Sequence, residues 1–395
     1  MTESASLRIC ALGDLESIHT RRWLEPFAAR GHDVQAISFY APSVTPVGVT
    51  VRSLTAGGSS SAQNKGGGAS RSLAGRLPPT LLRLLNALRY ERKGLGKTVR
   101  RLQPQILHAH YVVEHGFFAA TTGFHPLVVT AWGSDILVAT ARSRLTRAIA
   151  RYTLRRADLV TSNNEYMSER IRALGVPSRK VATVVFGTDE FYLEDAEQSV
   201  NLAADAVESP PTVVSTRSLD SPLYNVDSLL RAMAIVRGRL REARLIIAGE
   251  GRLRPALESL AAELGSADGV EFTGFLDQQA LRDVFHRAHV YASIPSSDAT
   301  SVSTLSAMAA GCFPVVSDLP TQREWIDDGV NGFRVPVDDV AALAYRLEEA
   351  LTNGDLRRQA AAANRRLVEE RGLWERNVPE MERLYRQLAM NEVRE

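Results

Sequence analysis

Short runs of apolar, β-branched residues alternate with longer stretches of helical periodicity along nearly the whole chain. This alternation is typical of βαβ units, in which helices join parallel strands. The predicted strands form two series. The first covers residues 7–12, 34–38, 106–109, 127–130, 159–162 and 181–185, and the second covers 212–215, 245–248, 270–272, 290–294 and 313–317. The pattern predicts an α/β protein with two doubly wound parallel sheets.

The length of 395 residues allows two domains at roughly 150 residues per domain. Residues 191–211 are acidic and alanine-rich and end in two prolines, which is typical of a linker. We predict a first domain at residues 1–190, a second at 212–372, and a C-terminal helix at 373–395 that returns to the first domain. Residues 56–79 are rich in Gly and Ser and predict a mobile loop, either a surface insertion or a substrate lid.

Charge is distributed unevenly between the two series of strands. Residues 1–190 carry 25 Lys+Arg against 13 Asp+Glu, whereas the remainder carries 22 against 32. Such asymmetry suggests that the first half meets an anionic partner. Residues 80–102 and 142–156 read as basic amphipathic helices, which either lie on anionic lipid or are solvated faces packed on a sheet. No nucleic-acid partner is expected.

The first residues lack the charged start and apolar core of a signal peptide, and no apolar run approaches the roughly 20 residues that span a bilayer. We therefore expect a cytoplasmic protein, or one bound peripherally at the inner membrane surface. Cys10 and Cys312 show no metal-ligand spacing and read as buried small hydrophobes.

Ligands of open α/β sheets bind at the carboxyl ends of the strands. In the first half, these ends carry residue types suited to binding a sugar. A glycine allows close approach, an imidazole exchanges protons, an indole stacks on a sugar ring and a carboxylate accepts from hydroxyl groups. The candidates are Gly13, Asp14, His19, His110, Trp132 and Asp135. His108 and His110 could begin a metal site, but no further metal-ligating residues follow at a suitable spacing. No metal is therefore expected.

In the second half, Arg217 follows a strand, and its planar guanidinium suits phosphate oxygens. Gly251 and Arg252 follow the next strand, where Arg254 occupies the place of the third glycine of a dinucleotide fingerprint; nicotinamide chemistry is therefore not expected. Asp298 precedes a hydroxyl-rich turn and a helix of small residues. Its start, at Thr300, Ser301, Val302 and Ser303, can cradle a diphosphate through free backbone N–H groups, or can simply be a capped core helix.

Taken together, these motifs resemble the retaining group-one glycosyltransferases of the GT-B fold. The resemblance covers nearly the whole chain and rests on the order and spacing of seven segments: 13–23, 30–34, 128–135, 186–189, 298–311, 314–317 and 327–332. It implies two facing Rossmann-like domains with a cleft between them.

The resemblance also implies roles for single positions. The family's two acidic residues, seven positions apart, fall on Asp298, which would contact the transferred hexose, and on Ser306, which would face the ribose. Arg217 matches the family's diphosphate-binding arginine. Tyr224 stands at the lysine position, and Trp132 stands where a His-Gly pair is common. His110 is the first-domain candidate for a catalytic histidine.

The implied activity is transfer of a hexosyl or related sugar from a nucleotide-diphosphate donor to a hydroxyl acceptor, with retention of configuration. No metal and no cofactor besides the donor is expected. Arg217 and the helix amides would neutralise the departing diphosphate. The basic first domain would bind the acceptor, for which a lipid-linked or otherwise anionic molecule fits its charge and a small hydrophilic molecule stays open.

Two other functions are compatible with the residues. The serine at 306 and the tyrosine at 224 also fit a glycosyltransferase-like binding or scaffolding protein that has lost catalysis. A nucleotide-sugar epimerase of the same architecture would need acid and base groups facing the sugar, and the second half offers only His286 and His289 at positions that favour packing.

Overall fold

The computed structural model describes residues 5–54, 94–195, 198–201 and 209–392. The chain divides into two compact units, residues 1–184 with 376–395, and residues 185–375. The predicted loop at 56–79 and the first part of the predicted basic helix, 80–93, lie outside the described residues. The described part of that helix is Leu95–Leu102.

The first unit is built on a seven-stranded parallel sheet with the order β3-β2-β1-β4-β5-β6-β7. The strands are β1 (Arg8–Leu12), β2 (Asp33–Ser38), β3 (Thr50–Ser53), β4 (Ile106–His110), β5 (Leu127–Thr130), β6 (Leu159–Ser162) and β7 (Val181–Thr183). The helices are α1 (Ile18–Ala29), α2 (Leu95–Leu102), α3 (His115–Thr121), α4 (Ala139–Arg142), α5 (Arg144–Arg156) and α6 (Glu165–Ala173), with short turns at Ser134–Val138 and Ser178–Lys180.

The second unit is built on a six-stranded parallel sheet with the order β10-β9-β8-β11-β12-β13. Its strands are β8 (Thr212–Ser215), β9 (Arg244–Ile247), β10 (Val270–Phe272), β11 (Val290–Ser293), β12 (Phe313–Ser317) and β13 (Phe333–Val335). Its helices are α7 (Val226–Arg237), α8 (Arg254–Glu263), α9 (Gln278–Arg287), α10 (Val302–Ala309), α11 (Val340–Thr352) and α12 (Gly354–Leu367), with short turns at Glu190–Leu193, Pro222–Tyr224, Ala267–Gly269 and Val368–Gly372. The last helix is α13 (Trp374–Glu392), which from residue 376 on belongs to the first unit.

The central strands are buried on both faces, as expected for parallel sheets covered by helices. Every residue of β4, β8, β11 and β12 is buried. Apolar side chains from these strands and from the inner faces of the helices form the core of each unit. The continuous β-branched runs in the sequence therefore mark these strands, and the prediction of two parallel sheets is confirmed.

The predicted basic helix over 142–156 is wrong at its start. The structure has two helices, α4 and α5, which are separated at Ser143. Ser143 is extended, and its hydroxyl accepts a hydrogen bond from the N–H of Thr146 at 3.2 Å. This N-cap begins a new helix because it satisfies a backbone donor that has no partner within the helix.

The strand order of each sheet reverses once. In the first sheet the reversal lies between β1 and β4, and in the second it lies between β8 and β11. At such a switch point the connections leave in opposite directions, so a crevice forms at the carboxyl ends of the two strands. The residues that follow β1, β4, β8 and β11 are therefore placed to bind ligands. Within the described residues, no helix is both long and apolar enough to cross a bilayer.

Candidate functional site

The second switch point brings together an arginine and an aspartate from different loops. Arg217 follows β8, and Asp298 lies in the loop between β11 and α10. Nη2 of Arg217 donates to Oδ2 of Asp298 at 2.5 Å, and Nε donates to the hydroxyl of Ser293, at the end of β11, at 2.7 Å. The side chains of Arg217 and Asp298 are only 11% and 18% exposed. The two predicted catalytic residues of this unit thus form one partly buried ion pair.

The electrostatics of this pair favour a permanently charged guanidinium. Burial works against the charge on Arg217, but Asp298 and Tyr291 outweigh it, so the pKa of Arg217 is raised above its ordinary value. The guanidinium carbon also lies 5.5 Å from the ring centre of Tyr224, within cation–π range. Within the described part of the chain, Nη1 of Arg217 has no hydrogen-bond partner. That nitrogen is the edge of the guanidinium available to an anion.

Helix α10 begins beside this pair. Ser301 is its N-cap, and its hydroxyl accepts from the N–H of Thr304 at 3.2 Å. Thr300 and Ser301 are buried, whereas Val302 and Ser303 are half-buried. The N-terminal amides of a helix lack partners inside the helix and carry partial positive charge. The first turn of α10 therefore presents backbone donors shortly after Asp298 in the chain, while the hydroxyl of Ser301 is used by its own helix.

Ser306 lies on the buried face of the same helix. Its hydroxyl is 2.6 Å from the hydroxyl of Thr188 and donates to the carbonyl of Val302 at 3.0 Å. The side chain is 3% exposed. Both of these contacts are internal to the unit, so the role of Ser306 toward a ribose stays a prediction.

Gly251 and Arg252 shape the loop that carries Arg217. A Cβ on Gly251, whose φ is +156°, would lie 2.2 Å from the carbonyl carbon of Leu219. Arg252 is held to the same loop, since its backbone N–H donates to Oδ1 of Asp220 and its Nε donates to the carbonyl of Asp220, both at 2.9 Å. These residues pack the loop after β9 against the loop after β8, and their role in ligand binding stays a prediction.

At the first switch point, His110 ends β4. It is 2% exposed, and neither ring nitrogen has a hydrogen-bond partner among the residues that the structure describes. Gly13 lies so close that a Cβ there would be 3.4 Å from the Cβ of His110. The ring of His110 packs 4.3 Å from His108 and 5.7 Å from Trp132, measured between centroids. Burial lowers the pKa of His110 to about 3, so its imidazole is neutral.

The neighbouring His108 is, by contrast, fully hydrogen-bonded. The hydroxyl of Tyr385 lies 2.5 Å from Nδ1 of His108 and accepts from Nε1 of Trp23 at 3.4 Å. Nε2 of His108 lies 2.7 Å from the hydroxyl of Thr130. Both ring nitrogens of His108 therefore have a hydroxyl partner, whichever of them carries the proton. Sequence reasoning missed this role of Tyr385, which is 277 positions from His108.

The other predicted first-unit residues differ in exposure. Asp14 and His19 are exposed and Trp132 is half-buried, with the rings of His19 and Trp132 centred 5.7 Å apart. Asp135 is fully buried. Its carboxylate accepts from the backbone N–H groups of Val112 at 2.8 Å, Gly133 at 2.9 Å and Ile136 at 3.1 Å, among others. The predicted role of Asp135 in binding hydroxyl groups is therefore wrong, because the carboxylate instead satisfies buried backbone donors.

One of the two histidines that an epimerase would need is held by a backbone hydrogen bond, and the other is buried on a helix. Nδ1 of His289 accepts from the backbone N–H of Thr212 at 3.1 Å. His286 is buried on α9. Across the described ranges, no group of three or more His, Cys, Asp or Glu side chains is arranged to hold a metal ion.

Two family models match the chain. The model described as glycosyl transferases group 1 matches residues 203–367, and the model described as glycosyl transferase 4-like domain matches residues 17–187. One match lies in each half of the chain.

Curated relatives are similar over part of their length. A phosphatidyl-myo-inositol mannosyltransferase of Mycobacterium tuberculosis is 32% identical over 186 residues, which are 45% of this chain and 47% of that protein. A D-inositol 3-phosphate glycosyltransferase of Streptomyces scabiei is 30% identical over 227 residues, 53% of this chain and 50% of that protein. The putative glycosyltransferase EpsD of Bacillus subtilis is 30% identical over 142 residues, 36% and 37% respectively. The chain thus spans between 37% and 50% of the length of these relatives.

Solved structures are similar over nearly the whole chain. Sucrose-phosphate synthase of Thermosynechococcus elongatus has a TM-score of 0.74 at 18% identity, covering 96% of this chain and 99% of that one. HepE of Anabaena in complex with UDP-glucose has a TM-score of 0.72 at 15% identity, covering 96% and 100%. At these identities the likeness shows the fold.

Proposed function

The chain belongs to the group 1 glycosyltransferases and has the GT-B fold, and from this premise we propose that it transfers a sugar from a nucleoside-diphosphate donor to a hydroxyl acceptor with retention of configuration. The observation that carries the proposal is the ion pair of Arg217 and Asp298 at the switch point of the second sheet, beside the start of α10. A cation, a carboxylate and helix amides are the groups that a sugar diphosphate needs.

Arg217 would bind the diphosphate through Nη1, the nitrogen that the ion pair and Ser293 leave available. The N-terminal amides of α10 would bind further phosphate oxygens. Asp298 uses Oδ2 for Arg217, which leaves Oδ1 to accept from a hydroxyl of the transferred sugar. A single carboxylate would then connect sugar recognition to the group that stabilises the leaving phosphate.

In the proposed reaction, the acceptor oxygen bonds to the anomeric carbon on the face from which the diphosphate oxygen departs. The acceptor proton passes to the leaving phosphate, so no protein nucleophile is needed. Negative charge builds on the diphosphate as the bond breaks, and Arg217 with the helix amides would stabilise it in place of a metal ion. Donors aimed at developing charge contribute the most to catalysis in many enzymes.

The acceptor would bind at the carboxyl edge of the first sheet. There the backbone of Gly13 lies against His110, and the half-buried indole of Trp132 lies between the rings of His19 and His110, each 5.7 Å away. A neutral His110 can both accept from and donate to a hydroxyl group, and its two unpartnered nitrogens are otherwise a cost to the fold. We place Asp14 and His19, both exposed, at the same edge.

A lipid-linked or otherwise anionic acceptor fits the excess of Lys and Arg over Asp and Glu in residues 1–190. The similarity to a phosphatidyl-myo-inositol mannosyltransferase, which is named for a lipid acceptor, supports this class of acceptor. An acceptor of this kind would place the protein in the cytoplasm at the inner membrane surface.

The test is a panel of nucleotide sugars incubated with the protein and with candidate acceptors. Release of nucleoside diphosphate together with a new glycoside is expected, and the one-bond C1–H1 coupling of that glycoside by NMR should match the donor's anomeric configuration. A product of inverted configuration would contradict retention. Absence of any product from donors that bind tightly would contradict transfer itself.

That last outcome would support a second candidate function, a glycosyltransferase-like binding protein without turnover. Two observations favour it. Tyr224 offers a phenol where the resemblance places a lysine, and the hydroxyl of Ser306 is buried against Thr188 and has no open surface. Calorimetry of donor binding and the product assay, run on the same preparation, separate the two functions.

A further inference from the structure

Helix α5 of the first unit has two contrasting faces. Its buried positions are Thr146, Ile149, Ala150, Thr153 and Leu154, which pack toward the core. All of the other positions are exposed. They are Arg144, Leu145, Arg147, Ala148, Arg151, Tyr152, Arg155 and Arg156. We name these eight residues the arginine face.

The arginine face differs from α8 and α13, whose arginines pair with nearby acidic residues, because its own segment contains none. On α13, Arg383 pairs with Glu380, and on α8, Arg254 pairs with both Glu250 and Glu258. The segment 142–156 contains no Asp or Glu, and among the described residues none of the five arginines of the face forms an ion pair. A merely solvated helix usually balances its charge with pairs three or four residues apart. Here the positive charge is uncompensated.

The arginines surround an open hollow of about 700 Å³, which is lined by every residue of the face except Leu145. Leu145 and Tyr152 are 50% and 42% exposed. They are seven residues apart and so lie on the same side of the helix, two turns from each other. The face therefore presents a stripe of cations next to a short apolar stripe.

We propose that the arginine face is the surface by which the protein docks on an anionic lipid bilayer. The guanidinium groups would bind headgroup phosphates, and Leu145 and Tyr152 would enter the boundary between headgroups and acyl chains. A helix with cations on one side and apolar residues on the other is suited to lie in that plane. The apolar stripe favours a bilayer over a nucleic acid, whose backbone would need the cations alone.

This docking does not depend on the proposed sugar transfer, because it uses none of the residues at either switch point. It goes further than the charge of the first half of the chain, since it commits to one helix and one face. The guanidinium carbon of Arg156 lies 5.8 Å from the ring centre of Tyr152, and the ring centre of Phe117 also lies 5.8 Å from it.

The experiment measures binding of the full chain to vesicles by co-sedimentation. Vesicles of phosphatidylglycerol and phosphatidylcholine should retain the protein, vesicles of phosphatidylcholine alone should not, and raising the salt from about 50 to about 500 mM should release it. The variant Arg144→Glu/Arg151→Glu should weaken binding at least tenfold. Leu145→Ser/Tyr152→Ser should weaken it severalfold and leave the salt dependence in place.

The matched control is Arg231→Glu/Arg241→Glu, which makes the same change in charge at two exposed arginines of the second unit. The vesicle affinity of this control should stay within twofold of that of the parent protein. A melting curve of each variant shows that it is folded. Equal binding by parent and Arg144→Glu/Arg151→Glu, or an equal loss in the control, would overturn the proposal. So would tighter binding of a single-stranded RNA than of the anionic vesicles.

Discussion

Nη2 of Arg217 donates to Oδ2 of Asp298 at 2.5 Å, although the two residues are 81 positions apart in the chain. They meet because β8 and β11 are neighbours in the sheet and both end at its carboxyl edge. The pair holds a cation at a site that has a helix N-terminus beside it. The predictions for the second unit depend on this arrangement.

Replacing Arg217 should remove most of the transfer activity. We expect Arg217→Ala to lower kcat/KM by about 10²- to 10³-fold, since that is the typical effect of losing one preorganised donor to a developing anion. Arg217→Lys should recover only part, because an ammonium cannot reproduce the planar contact with Ser293 and Asp298. The measurement is the steady-state rate with each donor. Arg239→Ala, at a 64% exposed side chain of the same unit, is the control and should be unchanged.

Ser293 should act as a positioning residue for that guanidinium. Its hydroxyl accepts from Nε of Arg217 at 2.7 Å, and it is 1% exposed. Ser293→Ala should raise the donor KM about tenfold with a smaller change in kcat, because a hydrogen bond to a charged group contributes about 1.5–3 kcal/mol. Ser293→Thr keeps the hydroxyl and should recover most of the loss. An unchanged KM in the alanine variant would show that the serine is not needed to orient the arginine.

Tyr385→Phe should destabilise the first unit. The substitution leaves Nδ1 of His108 and Nε1 of Trp23 without the hydroxyl that lies 2.5 Å and 3.4 Å away. A buried polar group that loses its partner costs about 1–3 kcal/mol. Urea denaturation should therefore show a lower midpoint for Tyr385→Phe. Tyr345→Phe, at a 62% exposed side chain, is the control, and an equal shift in both variants would argue against the buried network.

His110 should make stability depend on pH. Its pKa falls from 6.5 to about 3 in the folded protein because burial disfavours the charged ring. Below about pH 6.5 the unfolded chain therefore takes up a proton that the folded protein does not. The contribution of His110 to the free energy of unfolding is fully present above that pH and is lost as the pH falls toward 3. Between pH 7.5 and pH 5 the loss from this one group is about 2 kcal/mol. His110→Gln should lose correspondingly less stability over that interval in urea denaturation; an identical loss would place the pH dependence elsewhere.

The strands of the two sheets were largely predictable from sequence, and the reasons for the exceptions are physical. Buried parallel strands read as continuous β-branched runs, as in Leu127–Thr130 and Phe313–Ser317, which the sequence marks without error. The missed strands were Thr50–Ser53 and Phe333–Val335. Both are short edge strands, and the first has no fully buried residue, so neither shows that run.

The candidate site was predictable only for residues that directly follow a strand. Polar residues that follow strands gather at the carboxyl edge, and this rule selected Arg217 and Asp298 as candidates; their ion pair was not predicted. The rule does not tell which polar side chains face the ligand and which face the backbone. Asp135 follows a strand as Asp298 does, yet it is buried among backbone N–H groups. Ser293 is the last residue of β11, and a residue within a buried strand is expected to pack in the core, so the sequence did not mark it as a site residue.

The most direct test of the central claim is calorimetric binding of nucleoside diphosphates and monophosphates to the parent protein and to Arg217→Ala. The bases of the panel should include uracil, guanine, adenine and thymine, since the site is defined by the diphosphate. The account predicts that at least one diphosphate binds the parent about tenfold or more tightly than its monophosphate, and that Arg217→Ala removes this difference, as expected for a charge-assisted contact. Equal affinities of diphosphate and monophosphate for the parent, or a preference that survives in Arg217→Ala, would contradict it.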